Sequence, residues 1–240
     1  MKYALISDIH GNLEALTTSL DYFSSRGQVD MYICLGDIVG YGADPGACLE
    51  IIMNRADLSV IGNHDAAVIG ETDINYFNHF ARTAVLWTRE MITIEQDEYL
   101  RALPFSVCRQ DLLFTHAAPV DPQDWDYIFN QSDAAHYFKR FNESVCFVGH
   151  SHVAGIYGSN GQMSHLGGKT ILDPDEQYII NIGSIGQPRN GDPRLSCAFF
   201  DSDERSIEIV RLDYDCRAAG KKIIDAGLPA FLAERLSIGR

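Results

Sequence analysis

The residues able to do chemistry stand in a fixed order. They are Asp8-x-His10, Gly36-Asp37, Gly62-Asn63-His64-Asp65, a lone His116, and Gly149-His150-x-His152. Carboxylates and imidazoles are ligands for divalent first-row metals, and two such ions roughly 3.5–4 Å apart can clamp a displacement at phosphorus. No cysteine stands in these motifs, which separates them from closed structural zinc sites and fits a hydrolytic centre with open positions. Singly, each fragment is weak: Asp-x-His is common by chance, Gly-Asp after a strand is usually a turn, and a lone histidine is more often structural. Gly-His-x-His is stronger, because packing does not call for two imidazoles two apart on a loop. Gly-Asn-His-Asp after a buried run is stronger still. Together the motifs use five of the eight histidines, leaving His79, His136 and His165 as surface or helix-face residues.

Each motif begins where an apolar run stops. Tyr3–Ile6 precedes Asp8, Met31–Leu35 precedes Asp37, and Leu58–Ile61 precedes Asn63; Leu112–Phe114 and Val145–Val148 precede His116 and His150. Short apolar runs bounded by Gly, Asn or Asp are buried strands, and α/β sheets carry their chemistry beyond the strand carboxyl ends. Five strand ends therefore meet at one edge.

The elements between them alternate at first. A helix follows from Asn12, a fair N-cap, to about Ser25, with Leu13, Leu16, Leu20 and Phe23 on one face. A second helix lies near 45–55, with Pro45 at an early position. Strand–helix–strand–helix–strand order implies parallel strands joined by right-handed crossovers. Residues 66–104 read as helical, with Phe80, Ala84, Trp87 and Met91 at helical spacing and a second helix from Glu95 to Leu103 before Pro104, a segment placed to cap the site. Trp87 and Phe80 themselves are expected in the core. Beyond 104, strands are expected near 105–109, 111–115, 145–148, 154–158, 162–166, 178–182, 195–201 and 206–212, with a helix near 132–141. Two short helices after Asp215 are split at Gly227-Leu228-Pro229. The whole is an α/β chain, read as one domain over 1–240, with a hairpin-rich second sheet packed on the first.

Composition narrows the partners. The formal net charge of −14 and the absence of a basic stripe argue against stable nucleic-acid binding, which needs clustered Lys and Arg. Six cysteines form no C-x-x-C pair, and Cys34, Cys146 and Cys197 sit in apolar runs, as reduced thiols of a cytoplasmic protein do. The first apolar run is too short for a signal peptide or a membrane span.

The five motifs together resemble the calcineurin-like metallophosphoesterases, and in particular the compact bacterial and archaeal phosphodiesterase branch. Similarity extends through Trp87-Thr88-Arg89, the stretch Asn181–Arg189 and the Gly227-Leu228-Pro229 tail. The resemblance implies a four-layer αββα sandwich of two mixed sheets flanked by helices, with a dinuclear metal site at the strand carboxyl ends. Asp8, His10 and His152 would then bind one ion and Asn63, His116 and His150 the other, with Asp37 bridging. Manganese is the first expectation for the two divalent ions, with iron, nickel, cobalt or zinc also suited to nitrogen and oxygen donors. A hydroxide held on the metals would attack phosphorus in line. His64 would stabilise the transition state or protonate the leaving oxygen, and Asp65 would either orient an imidazole or serve as a helix-terminal carboxylate.

Departures from the phosphoprotein phosphatases of this superfamily point to substrate. Asp37 is followed by Ile38-Val39-Gly40-Tyr41-Gly42, and no arginine precedes Asn63, so two guanidinium clamps on a phosphomonoester are missing. A phosphodiester or nucleoside polyphosphate is therefore expected over a phosphomonoester or phosphoprotein, and a non-catalytic scaffold is disfavoured because every ligand position is filled. Arg189 or Arg194 would replace the clamp, and Gly183-Ser184-Ile185-Gly186 would either offer backbone N–H groups to phosphate or be a plain turn. Tyr41, Tyr76, Phe77 and Trp125 would either line a base-stacking pocket or serve simple packing.

Overall fold

Strand β1 (Lys2–Ile6) serves two cores at once. Tyr3 and Leu5 are buried on one face among Phe114, Phe147 and Phe200, whereas Ala4 and Ile6 are buried on the other with Leu16, Leu49 and Ile52. A strand covered on both faces reads as a continuous apolar run. The computed structural model describes residues 1–164 and 168–240, with the backbone alone at 163–164. The expected place of His165, and the end of the expected strand 162–166, lie outside the described residues.

The first sheet contains β1, β2 (Met31–Cys34), β3 (Leu58–Ser59), β9 (Lys169–Ile171), β11 (Leu195–Asp201) and β12 (Ser206–Leu212), in the order β3-β2-β1-β11-β12-β9. The second contains β4 (Ser106–Arg109), β5 (Leu112–Thr115), β6 (Val145–Val148), β7 (Gly155–Gly158), β8 (Met163–Ser164) and β10 (Tyr178–Asn181), in the order β4-β5-β6-β10-β7-β8. In each sheet a parallel trio, β3-β2-β1 or β5-β6-β10, is extended by antiparallel neighbours. Helices α1 (Leu13–Ser25) and α2 (Pro45–Arg55) cover the first sheet, and α6 (Gln131–Ala135) packs beside the second. This is the four-layer sandwich expected from the motifs.

Aromatic rings join the sheets. Phe147 of β6 stacks on Phe114 of β5 at 5.5 Å between centroids and meets Phe200 of β11 edge-on at 5.1 Å. Its neighbours Cys146 and Val148 face the opposite way, into the cluster that includes Ile128, Ala134 and Tyr137.

Several boundaries differ from expectation. β3 stops at Ser59, because Ile61 donates its N–H to Pro104 O and leaves the sheet. The helix expected over 132–141 ends at Ala135; Lys139 adopts φ 66° and its N–H goes to Gln177 Oε1. β9 is a short edge strand that sequence periodicity does not indicate. Asn63, His64 and Asp65 open a short helix, α3 (Asn63–Val68), ahead of the helical stretch expected from residue 66. Helices α4 (His79–Met91) and α5 (Ile94–Ala102) pack among α2 and α3, and residues within 72–78 together with Ala81 of α4 line the cleft. Phe80 and Trp87 are half-buried. At the C-terminus α7 (Cys216–Asp225) packs on α1 and is followed by α8 (Ala230–Glu234). Among the described residues, no helix is long and apolar enough to cross a membrane.

Because Phe147 fills the space between both sheets, Phe147→Ala should cost about 3–5 kcal/mol of stability with an unchanged denaturant slope, measured by urea unfolding.

Candidate metal centre

The strand ends converge. Ligand-competent atoms of Asp8, His10, Asp37 and His152 all lie within 4.8 Å of one another, as do those of Asp37, His116 and His150. Asp37 belongs to both groups. Asn63 joins the second, its Oδ1 lying 3.3 Å from His116 Nε2.

The protonation of each imidazole follows from its backbone partner. His10 Nδ1 lies 3.1 Å from Val39 O, His116 Nδ1 2.7 Å from Leu35 O, His152 Nδ1 2.5 Å from Gln187 O, and His150 Nε2 2.9 Å from Trp125 O. A carbonyl can only accept, so each of these nitrogens carries the hydrogen, and the other nitrogen of each neutral ring presents a lone pair. His10 Nε2 and His152 Nε2 therefore face each other, lone pair to lone pair, at 3.1 Å. Between them and Asp8 Oδ1, 3.1 Å from His152 Nε2, only a proton or a cation relieves the repulsion.

The carboxylates repeat this division. Asp8 Oδ2 accepts from Ser7 Oγ at 2.6 Å and from His150 N at 3.1 Å, while its buried Oδ1 has no donor. Asp37 Oδ1 accepts from His64 N at 2.8 Å, leaving Oδ2 3.6 Å from His10 Nε2 and 3.5 Å from His116 Nε2. One oxygen of each is anchored to the protein and the other is turned inward. A pocket of buried acceptors, in which His116 is the one imidazole held protonated, fits divalent cations, and the ligand set is nitrogen and oxygen throughout.

Electrostatics point the same way. Burial works to raise the carboxyls of Asp8 and Asp37, yet neighbouring imidazoles, His152 for the first and His116 for the second, hold both well below the usual carboxylate range. Burial pulls His10 and His152 down and takes His150 to about 3. Burial opposes charge on His116 too, but Asp37 holds it up at about 9. His116 thus carries the positive charge that a bound cation would replace.

The backbone bends sharply to make this possible. Asp8, His10, Asp37, His150 and His152 have φ between 51° and 64°, the left-handed region that Asp and His tolerate better than most residues. The motif glycines allow close approach: a Cβ at Gly62 would lie 2.2 Å from Asp37 Oδ1, and one at Gly149 2.4 Å from Asp8 Oδ2.

The calcineurin-like phosphoesterase superfamily domain matches residues 1–205. The chain belongs to this family. It is 42% identical over 243 residues to an uncharacterised protein of Methanocaldococcus jannaschii, covering 99% of this chain and 98% of that one. The crystal structure of a metallophosphoesterase from Sphaerobacter thermophilus aligns with a TM-score of 0.89 at 39% identity, over 100% of this chain and 99% of that one. A hypothetical protein from Pyrococcus horikoshii shares the fold with a TM-score of 0.82 at 20% identity, over 100% and 98% of the two chains.

The other candidate residues of this calcineurin-like phosphoesterase fall into place unevenly. His64 is buried beside the cluster, its ring 4.9 Å from that of His10 and 4.5 Å from that of Tyr41. Its Nδ1 is enclosed without a partner, and Nε2 is the nitrogen left toward the cleft. Arg189 reaches Tyr41 OH at 3.4 Å and Gln187 Oε1 at 2.9 Å, close enough for its charge to act on His64 and His152. Arg194 is not brought to the cluster: its guanidinium is exposed and bound to both oxygens of Asp192. Among the described residues, Asp65 accepts from no imidazole. It accepts from Val39 N and Gly62 N, both at 3.1 Å, tying the Asp37 loop to the start of α3. Burial, with Asp37, pushes its carboxyl up to about 7.

The stretch Gly183–Gly186 is a structural turn with no N–H to spare at Gly183, Ile185 or Gly186. Ile185 and Gly186 donate to Ser7 O and Asp8 O, Gly183 donates to Asn181 Oδ1, and Ser184 Oγ donates to Asp8 O. Tyr127, which sequence reasoning missed, stacks on His150 at 3.9 Å between ring centres. Nothing in its spacing announces it. Asp37→Ala should lower bound metal after reconstitution to half the wild-type level or less, measured by elemental analysis.

Proposed function

We propose that this phosphoesterase hydrolyses a phosphodiester or nucleoside polyphosphate using two divalent cations, with manganese the first candidate. The observation that carries this reading is the pair of acceptor groups sharing Asp37. Asp8, His10 and His152 would hold one ion, and Asn63, His116 and His150 the other. When bound, such ions lower the pKa of water and neutralise charge developing on the phosphoryl group.

The chain supplies the rest. His64 is held by the Asp37 contact to its N–H and by rings on several sides, Phe77 among them at 4.9 Å. Burial takes it down to about 4, so at neutral pH it is a neutral imidazole, suited to donating a hydrogen bond to a substrate oxygen. Arg189 would be the cation that meets phosphoryl charge, a reading supported by its reach to Tyr41 OH beside His64.

The cleft beside the centre has a volume of about 340 Å³ and is lined by Tyr41, His64, Tyr76, Phe77, Trp125 and Tyr127, among others. Tyr76 is 90% exposed at this cleft, where it can meet a planar group. No Lys or Arg lines it, and Asp73 and Asp124 do, so it suits an uncharged aromatic substituent rather than a nucleic-acid backbone. A small ester substrate is the partner that fits. All six cysteines are free thiols, which supports a reducing, cytoplasmic setting.

Manganese-reconstituted protein should turn over bis(p-nitrophenyl) phosphate faster than p-nitrophenyl phosphate; a strong preference for the monoester would overturn the reading. His64→Ala should reduce kcat by about 100-fold or more while leaving metal content at the wild-type level, and loss of metal together with activity would reassign His64 to the ligand set.

A further inference from the structure

Tyr41 carries two guanidinium groups. The Cζ atoms of Arg189 and Arg235 each lie 5.7 Å from the centre of its ring. Arg189 comes from the turn after β10, and Arg235 follows α8, beyond the residues matched by the family domain. Arg26, Arg101 and Arg194 are all held by carboxylates. Among the described residues, neither Arg189 nor Arg235 has an Asp or Glu partner: Arg189 is bound to Gln187 Oε1 and Tyr41 OH, and Arg235 gives only its Nε, to the oxygen of Arg240, the last residue of the sequence. The acids of the neighbouring wall, Glu14 and Asp44, are both taken by Lys222 at 2.6 and 2.8 Å.

Both guanidiniums are half-buried, and they stand together over one ring. Burial, and then the charge of Arg189, lower the affinity of Arg235 for its proton, as expected of like charges held together. The Tyr41 ring in turn lies 4.7 Å from that of His10 and 4.5 Å from that of His64. An anion on the two arginines would therefore sit beside the metal centre, next to the cleft that Tyr41 lines together with Tyr76, Phe77, Trp125 and Tyr127.

The geometry points to an anion subsite, formed by Arg189, Arg235 and Tyr41, that takes a second phosphoryl group of the substrate next to the one at the metals. This rests on the reading of the centre as a phosphoester hydrolase, and it selects the nucleoside polyphosphate branch of that reading. Guanidinium groups bind phosphate oxygens through charge-assisted, paired hydrogen bonds. The site is completed by the C-terminal segment.

The test compares Arg235→Gln with wild type on bis(p-nitrophenyl) phosphate, which has no second phosphate, and on a dinucleoside polyphosphate. The loss of kcat/KM on the polyphosphate should exceed that on the diester by about tenfold, carried mainly by KM, with Arg235→Lys recovering part of it. In parallel, inorganic pyrophosphate is titrated calorimetrically into metal-free protein, where Arg235→Gln should weaken binding by about tenfold. Equal losses on the two substrates, or pyrophosphate binding unchanged by the substitution, would overturn the subsite. If wild type hydrolyses neither substrate, the proposed function fails and the pyrophosphate titration alone decides the subsite. Arg235→Lys, which keeps the apolar stem against Phe231, replaces the glutamine variant in both arms should that one not fold.

Discussion

Lone pairs turned toward one another, with no donor among them, are the constraint on which this molecule is built. His10 Nε2 and His152 Nε2 stand 3.1 Å apart because Val39 O and Gln187 O fix the other nitrogen of each ring as the donor. A buried arrangement of this kind is unfavourable by itself and becomes favourable when cations fill it. Energy spent on holding it is visible in the left-handed backbone of Asp8, His10, Asp37, His150 and His152. The surrounding structure must over-determine these conformations, and it does so with backbone ties. Asp8 N donates to Gly36 O, His10 N to Asp37 O, and Gly149 N to His116 O, so each ligand loop is fastened to the next.

Two sheets are needed because neither trio of parallel strands carries a full set of ligands. β1, β2 and β3 deliver Asp8, His10, Asp37 and Asn63, and β5 and β6 deliver His116, His150 and His152. The remaining parallel strand, β10, delivers no ligand but ends in the turn that clasps both sides. Asn181 Nδ2 donates to Gly149 O at 2.6 Å, Ile185 and Gly186 donate to the Ser7 and Asp8 carbonyls, and Gln187 O holds His152. The aromatic packing of Phe114, Phe147 and Phe200 fixes the spacing of the sheets, and hence the distance between the two ligand groups.

The residues of the cluster were legible because each follows an apolar run and has a side chain that can bind metal. What orients those ligands was not. Val39, Leu35, Trp125 and Gln187 act through carbonyl oxygens, a group that every residue possesses, so composition carries no trace of the role. Asp65 had two equal readings, and contact with Val39 N and Gly62 N decides for the backbone one. Arg194 was indicated by nearness to Arg189 in sequence, but the local pair with Asp192, two residues away, satisfies it first. Arg235 lies at the far end of the chain, and its place over Tyr41 follows from helix packing that no local pattern encodes. Strand interiors were clear and their ends were not, since β3 is cut short by a tertiary contact to Pro104.

The C-terminal helices are therefore more than a cover for α1. Lys222 of α7 binds Glu14 of α1 and Asp44 at the start of α2, two acids that line the same pocket as Tyr41, and so occupies them. Ala219, Ile223, Leu232 and Leu236 pack in the same apolar cluster as Tyr41, so the position of the tail and that of the ring are set together. Tyr41 itself adopts φ 60° between the Asp37 loop and α2. A ring in that conformation, touching His10 and His64 on one side and carrying two guanidiniums, links the C-terminal packing to the metal ligands through direct contact. Displacement of α8 would then act on the centre by moving charge rather than by moving ligands, because no ligand is borne by the tail.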